Sequence, residues 1–181
     1  MVMKSRAAGF TLLEMLLTLA LTALLMAVAV PALSRLLSKA AVQSAADALV
    51  GDLRYARSEA IKRARTVSVC SSAGGAACAS SAAWRDGWMV FVDADGNGRL
   101  DAEDQILRVQ ERLEPLASIA SATPANDKRF IAYQASGMAR AAAQSFILTP
   151  SGAGSASLVR VVCVSMQGRA ALRASGVSAC S

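Results

Sequence analysis

Residues 10–33 form an unbroken apolar run in which Glu14 is the only charged side chain, and no other feature constrains the fold so strongly. As a helix, 24 residues measure roughly 36 Å, enough to cross a bilayer hydrocarbon core of about 30 Å. Leu, Ala, Met and Val dominate the run. Lys4 and Arg6 precede it and the bulk of the chain follows, so the positive-inside rule puts the N-terminus in the cytoplasm. A secretory signal peptide has a shorter apolar region, about 7–15 residues, ending at a small-residue cleavage site. Here Pro31-Ala32-Leu33 leads straight into a second helical pattern. A plain membrane anchor leaves Glu14 unexplained. A carboxylate costs about 2.5–3.5 kcal/mol at the centre of a span and less near its end. No basic residue lies in the same span, so its partner comes from another chain or from a free amino terminus.

Composition removes several function classes. The 181 residues include no histidine, which excludes Ser-His-Asp hydrolases, Cys-His proteases and His-zinc centres. Cys70, Cys78, Cys163 and Cys180 contain no CxxC spacing, so no zinc ribbon is expected. Aromatic residues make up only 4% of the chain, too few for a platform that stacks single-stranded bases. No constellation supports an enzyme. Charge is unevenly placed: residues 1–65 carry net +5, residues 66–127 net −5, and residues 128–181 net +6 with no acid at all.

Beyond the apolar run the helical period continues. Val42, Ala45, Leu49, Leu53, Ala56 and Ala60 recur at three- and four-residue steps and form one stripe. Asp47, Asp52, Arg54, Arg57 and Lys62 fall largely off it and read as a solvated face, while Glu59 and Arg63 stand at i and i+4 in the favourable order. One long helix over 10–65 is expected, kinked or locally melted at Pro31. After Arg65 the pattern changes to short β-branched or aromatic runs at 66–70, 88–92, 105–110, 129–133, 145–149 and 158–164, separated by Gly, Ser, Ala or Asp clusters. Six or more strands after one long helix predict an α+β fold, with the helix packed on antiparallel sheet.

Gly9-Phe10-Thr11-Leu12-Leu13-Glu14 resembles the leader junction of type IV pilins and type II secretion pseudopilins. The resemblance implies that a prepilin peptidase cuts between Gly9 and Phe10, releasing residues 1–9, and that Phe10 is then N-methylated. It also implies that Glu14 pairs with the N-terminal amine of a neighbouring subunit. The physics agrees, because two charges in lipid cost less when paired. The stretch from Asp52 to Arg63 and the stretch from Trp84 to Asp93 are similar to the GspH/FimT branch. That resemblance covers most of residues 9–110 and implies four regions: a leader over 1–9, a transmembrane helix over 10–33, an amphipathic pilin helix over 34–65, and a periplasmic β-rich domain over 66–181 with two small sheets.

An exported domain oxidises its thiols, and four cysteines allow three pairings; the local one, Cys70–Cys78 with Cys163–Cys180, is the expectation. The segment from Asp93 to Asp104 matches an EF-hand loop, with Asp93, Asp95, Asn97, Asp101 and Asp104 at ligand positions 1, 3, 5, 9 and 12 and Gly98 at the turn. The shorter Asp at the last position and the strand before the loop favour the alternative, a hairpin turn built from turn-forming residues. Calcium is the one cofactor in view. Lys128, Arg129, Arg140, Arg160, Arg169 and Arg173 make a basic tail. Some FimT-type minor pilins bind DNA through a C-terminal Gly-Arg-x-Arg segment. Gly168-Arg169 matches its first half and the second arginine is displaced to Arg173, so Arg160, Arg169 and Arg173 are the candidate phosphate contacts. The resemblance therefore implies a minor pilin or pseudopilin that initiates or caps a type II secretion pseudopilus or a type IV pilus. Its partners are other pilins, the prepilin peptidase and the inner membrane. The alternative is a DNA-binding minor pilin of an uptake pilus.

Overall fold

The computed structural model describes residues 9–81, 83–114, 116–121, 129–140, 144–151, 155–173 and 180. Leader residues 1–8 and Lys128 lie outside the described residues. One helix, α1, runs Leu12–Arg63. The chain divides into two compact units at Leu37 and Ser38.

In the first unit the helix passes through Pro31 without a break, so the expected local melting is absent. The Ser34 hydroxyl donates to the Pro31 carbonyl at 3.0 Å. Thr18 and Thr22 donate in the same way to the carbonyls of Met15 and Thr18, so the hydroxyls of this apolar segment are satisfied inside the helix.

The second unit begins with the rest of α1. Its predicted stripe is the buried face: Val42, Ala45, Leu49, Leu53, Ala56 and Ala60 are all buried. Three of these six are alanines, which let the helix sit close on the sheets, and each buried leucine contributes about 1.5–3 kcal/mol. Asp52 is a correction. It was expected on the solvated face, but it is buried, accepts from Trp88 Nε1 at 2.8 Å, and pairs with Arg108 at 2.7 Å. Glu59 is also buried and pairs with Arg63 at 2.6 Å. The helix ends two residues before the expected boundary. Arg65 N donates to the Ala60 carbonyl and Ala64 N to the Ile61 carbonyl, with Ala64 at φ 52. That is a Schellman cap with alanine in the left-handed position.

Among the described residues nine strands follow, in two antiparallel sheets. β1 is Val67–Ser71, β2 Trp88–Val92, β3 Gln105–Gln110, β4 Leu116–Ser121, β5 Phe130–Tyr133, β6 Ala139–Arg140, β7 Gln144–Pro150, β8 Arg160–Val164 and β9 Ala170–Arg173. The first sheet has the order β3-β2-β1-β5-β6 and the second β4-β7-β8-β9. Strands β4, β6 and β9 were not foreseen, and Leu158 belongs to a 3₁₀ turn, Ser155–Leu158, rather than to a strand.

Side-chain alternation sends Val67, Val69, Trp88, Val90, Ile131 and Tyr133 of the first sheet into one core with Phe146, Leu148, Val162 and Val164 of the second and the stripe of α1. Trp84 meets Phe146 edge to face at 4.9 Å. The opposite face of the first sheet carries a smaller cluster of Cys70, Met89 and Phe91, covered by Cys78, Leu100 and Phe130. The central strands β1 and β2 are thus buried on both faces, which explains why Trp88–Val92 is a continuous apolar run.

Candidate functional site

The first candidate surface is the N-terminal helix. From Phe10 through Leu37 its large apolar side chains are exposed, among them Phe10 at 75% and Leu12 at 81%. One helix in the described residues is long and apolar enough to cross a membrane. An apolar surface of this size needs lipid or other helices around it. Gly9 and Phe10 stand ahead of the helix with no regular structure, so the peptide bond between them is exposed. Thr11 is the N-cap: its hydroxyl accepts from Glu14 N at 3.2 Å, and its carbonyl accepts from Met15 N at 3.2 Å. Thr11 and Glu14 therefore hold the positions of a Thr-x-x-Glu capping box, a pattern legible in the sequence and overlooked there. Glu14 lies in the first helical turn, where the helix dipole favours an anion, and no cation pairs with it among the described residues.

Two disulfides tie the second unit. Cys70 in β1 is joined to Cys78, and Cys163 in β8 to Cys180. The first closes the loop after β1 over the small outer cluster. The second fixes the chain's C-terminal end beside β7, where Cys180 N also donates to Ser145 Oγ at 3.0 Å.

The acidic loop after β2 is organised by its own backbone. Asp93 is buried and its carboxylate accepts from the Ser68 hydroxyl, Asn97 N at 3.1 Å and Gly98 N at 3.0 Å. Burial pushes the Asp93 carboxyl above the usual carboxylate range, against the opposing pull of the Ser68 and Gly98 hydrogen bonds. The Asn97 side-chain amide donates to both Asp95 and Asp101, and Asp104 accepts from the backbone of Ala94 and Asp101. All five predicted ligands thus come together in one loop, where each takes part in hydrogen bonds of the turn. No group of three or more metal-ligating residues able to hold an ion occurs among the described residues.

The three predicted phosphate contacts do not form one face. β8 pairs with β9 so that Arg173 stands opposite Val161, while Arg160 stands opposite Leu148. Adjacent residues of a strand point to opposite faces, so Arg160 and Arg173 do as well. Arg169 lies in the turn before β9. There it joins Arg54 and Arg57 of α1 around a cavity of about 550 Å³. Arg57 Nε donates to the Gly137 carbonyl at 3.0 Å. The helical partners were missed because Arg54 and Arg57 read only as solvent-facing charges; their three-residue spacing, which puts both on one helix face, was the available sign.

Comparison with known proteins agrees with this architecture. The family described as type II transport protein GspH matches residues 45–168, and the prokaryotic N-terminal methylation motif matches residues 4–30. Two crystal structures of the type IV minor pilin FimU from Pseudomonas aeruginosa, in different space groups, share the fold at 24% identity. One superposes with a TM-score of 0.57 over 74% of this chain and 88% of that one, the other with 0.53 over 73% and 92%. No curated protein matches the chain significantly.

Proposed function

We propose that this chain, which belongs to the GspH family of pilin-type structural subunits, is a minor pilin or pseudopilin that helps initiate or cap a type II secretion pseudopilus or a type IV pilus. In this reading residues 1–9 are the leader, Phe10 is the methylated N-terminus, and residues 10–33 cross the inner membrane from a cytoplasmic N-terminus. Residues 34–65 and 66–181 make the periplasmic domain. The observation that carries the reading is the membrane-length segment of the N-terminal helix, whose apolar side chains are exposed and whose one carboxylate, Glu14, has no cationic partner among the described residues. Such a helix leaves the membrane only into an environment of other apolar helices, and Glu14 supplies the one polar contact that fixes its depth. The role is architectural: no step of bond-making is assigned to any residue.

The test is assembly of Glu14→Ala and Glu14→Gln full-length chains in cells that build the filament. Both are expected to be processed and inserted, with incorporation into sheared filaments falling about tenfold or more, in keeping with loss of an ion pair desolvated in lipid. Normal incorporation of both variants would contradict the pairing role.

A further inference from the structure

Arg54 and Arg57 on one face of α1 and Arg169 in the β8–β9 turn surround one groove. Like charges one turn apart on a helix repel, and the fold brings a third cation to this pair instead of a carboxylate. Residues 128–181 hold no acid, so the segment that walls the groove has none to offer. Among the described residues none of the three arginines forms an ion pair. The groove is also preformed. Arg57 Nε donates to the Gly137 carbonyl at 3.0 Å and Arg54 Nε to the Ala170 carbonyl at 3.4 Å, so the backbone holds both guanidinium groups and leaves their outer nitrogens unengaged among the described residues. Gly168, at φ +78, lies on the Gly137 carbonyl, where a Cβ would collide with the oxygen. A site held in this way loses little side-chain freedom when a ligand enters.

Guanidinium forks suit carboxylates and phosphates alike, so the rest of the groove decides between them. Ile61, Ala170 and Ala171 line it, and Met138 and Met166 are exposed on the turns beside it. Arg and Met beside apolar side chains are the composition of a protein-binding patch. A nucleic-acid duplex needs a longer track of cations, and Arg160 and Arg173, which point to opposite faces of their sheet, do not together extend this one. Single strands need aromatic side chains to stack on, and none lines the groove. We propose that the Arg54–Arg57–Arg169 groove docks an acidic segment of a different filament subunit, one in which carboxylates alternate with apolar side chains. The proposal rests on the minor-subunit reading above: a chain that initiates or caps a filament meets subunits unlike itself. A contact with a different chain places it at one position and does not propagate. The occupant's carboxylates pair with the three guanidinium groups, and its apolar side chains lie on Ile61 and the two methionines.

The test titrates the full-length chain in detergent micelles with a fluorescent peptide, acetyl-Glu-Leu-Glu-Glu-Leu-Glu-amide. Binding is expected at low salt, falling as salt rises, and about tenfold weaker for the same peptide with Gln in place of Glu, as for a few exposed ion pairs acting together. Arg169→Glu is expected to weaken binding by about tenfold and Arg169→Ala by less. Both leave the fold intact, because the Arg169 side chain makes no hydrogen bond or ion pair among the described residues. Arg160→Glu, outside the groove, is expected to change nothing. In cells that build the filament, a photoreactive benzoylphenylalanine at Ser58, which lines the groove, is expected to link to a carboxylate-bearing peptide of a different subunit. Reversing those carboxylates to Lys is expected to remove the link, and adding Arg169→Glu to restore it. Peptide binding indifferent to Arg169→Glu overturns the proposal, as does a groove that holds a duplex oligonucleotide and not the peptide. So do Ser58 links that are absent or confined to second copies of this chain. The titration involves no filament, so its failure leaves the minor-subunit reading standing; that reading falls on the Glu14 assembly result, which the titration does not touch.

Discussion

At the scale of single residues, the polar groups that the fold buries are the informative ones. Asp52 holds the Trp88 indole and the Arg108 guanidinium, and Arg108 in turn lies 4.1 Å over the Tyr55 ring. Replacing Asp52 with alanine leaves a buried indole N–H without its acceptor, a loss of about 1–3 kcal/mol. Tryptophan fluorescence during chemical denaturation is expected to show a midpoint lowered accordingly, and an unchanged midpoint would contradict the role. Two other carboxyls titrate in opposite senses. The Arg63 hydrogen bond holds Glu59 below its ordinary value, so its stabilisation is present above the ordinary carboxylate pKa and is lost as pH falls through the lowered one. Burial raises Asp93, so its contribution favours the fold below the ordinary value and is lost as pH rises through the raised one. Carbon-13 carboxyl shifts followed against pH are expected to place the Asp93 midpoint above that of Glu59, the reverse of the order in free side chains.

At the scale of elements, the sequence was most legible where burial is regular. The stripe from Val42 to Ala60 predicted the packed face of α1, and Trp88–Val92 and Gln105–Gln110 were read with their observed bounds. Strands β4, β6 and β9 escaped because Ala, Ser and Arg fill most of their positions, with Leu or Ile only isolated among them, so no β-branched or aromatic run marks them. They are strands because a neighbour pairs with them. The same limit hid the groove: its arginines are local on α1, but Arg169 reaches them only through the stacking of two distant turns. Asp52 was misread because periodicity marks where a residue points and not whether a buried tryptophan waits there. One element end is improvable. Ala64 occupies a left-handed position that costs an L-residue about 1 kcal/mol or more, so Ala64→Gly is expected to raise thermal stability by about that amount, measured as an upward shift of the unfolding midpoint. A lower midpoint would mean that the cap is not formed as described.

At the scale of the whole molecule, the chain combines a helix whose apolar surface has no use in water with a domain that has its own core and two disulfides. The GspH family match, residues 45–168, falls within the second unit, and the methylation motif, residues 4–30, within the first, so the two parts point to one kind of subunit by separate routes. The proposed processing joins them: in that reading, cutting after Gly9 frees an amine four residues before Glu14, and that amine is the charge proposed to pair with the carboxylate between subunits. The most direct measurement is the intact mass and N-terminal sequence of the protein isolated from membranes of cells that contain a prepilin peptidase. The expected mature chain begins at Phe10, carries one added methyl group, and is not formed when Gly9 is replaced by a bulkier residue. A chain that keeps residues 1–9, or one trimmed at another site and indifferent to the Gly9 substitution, would contradict the pilin reading at its root.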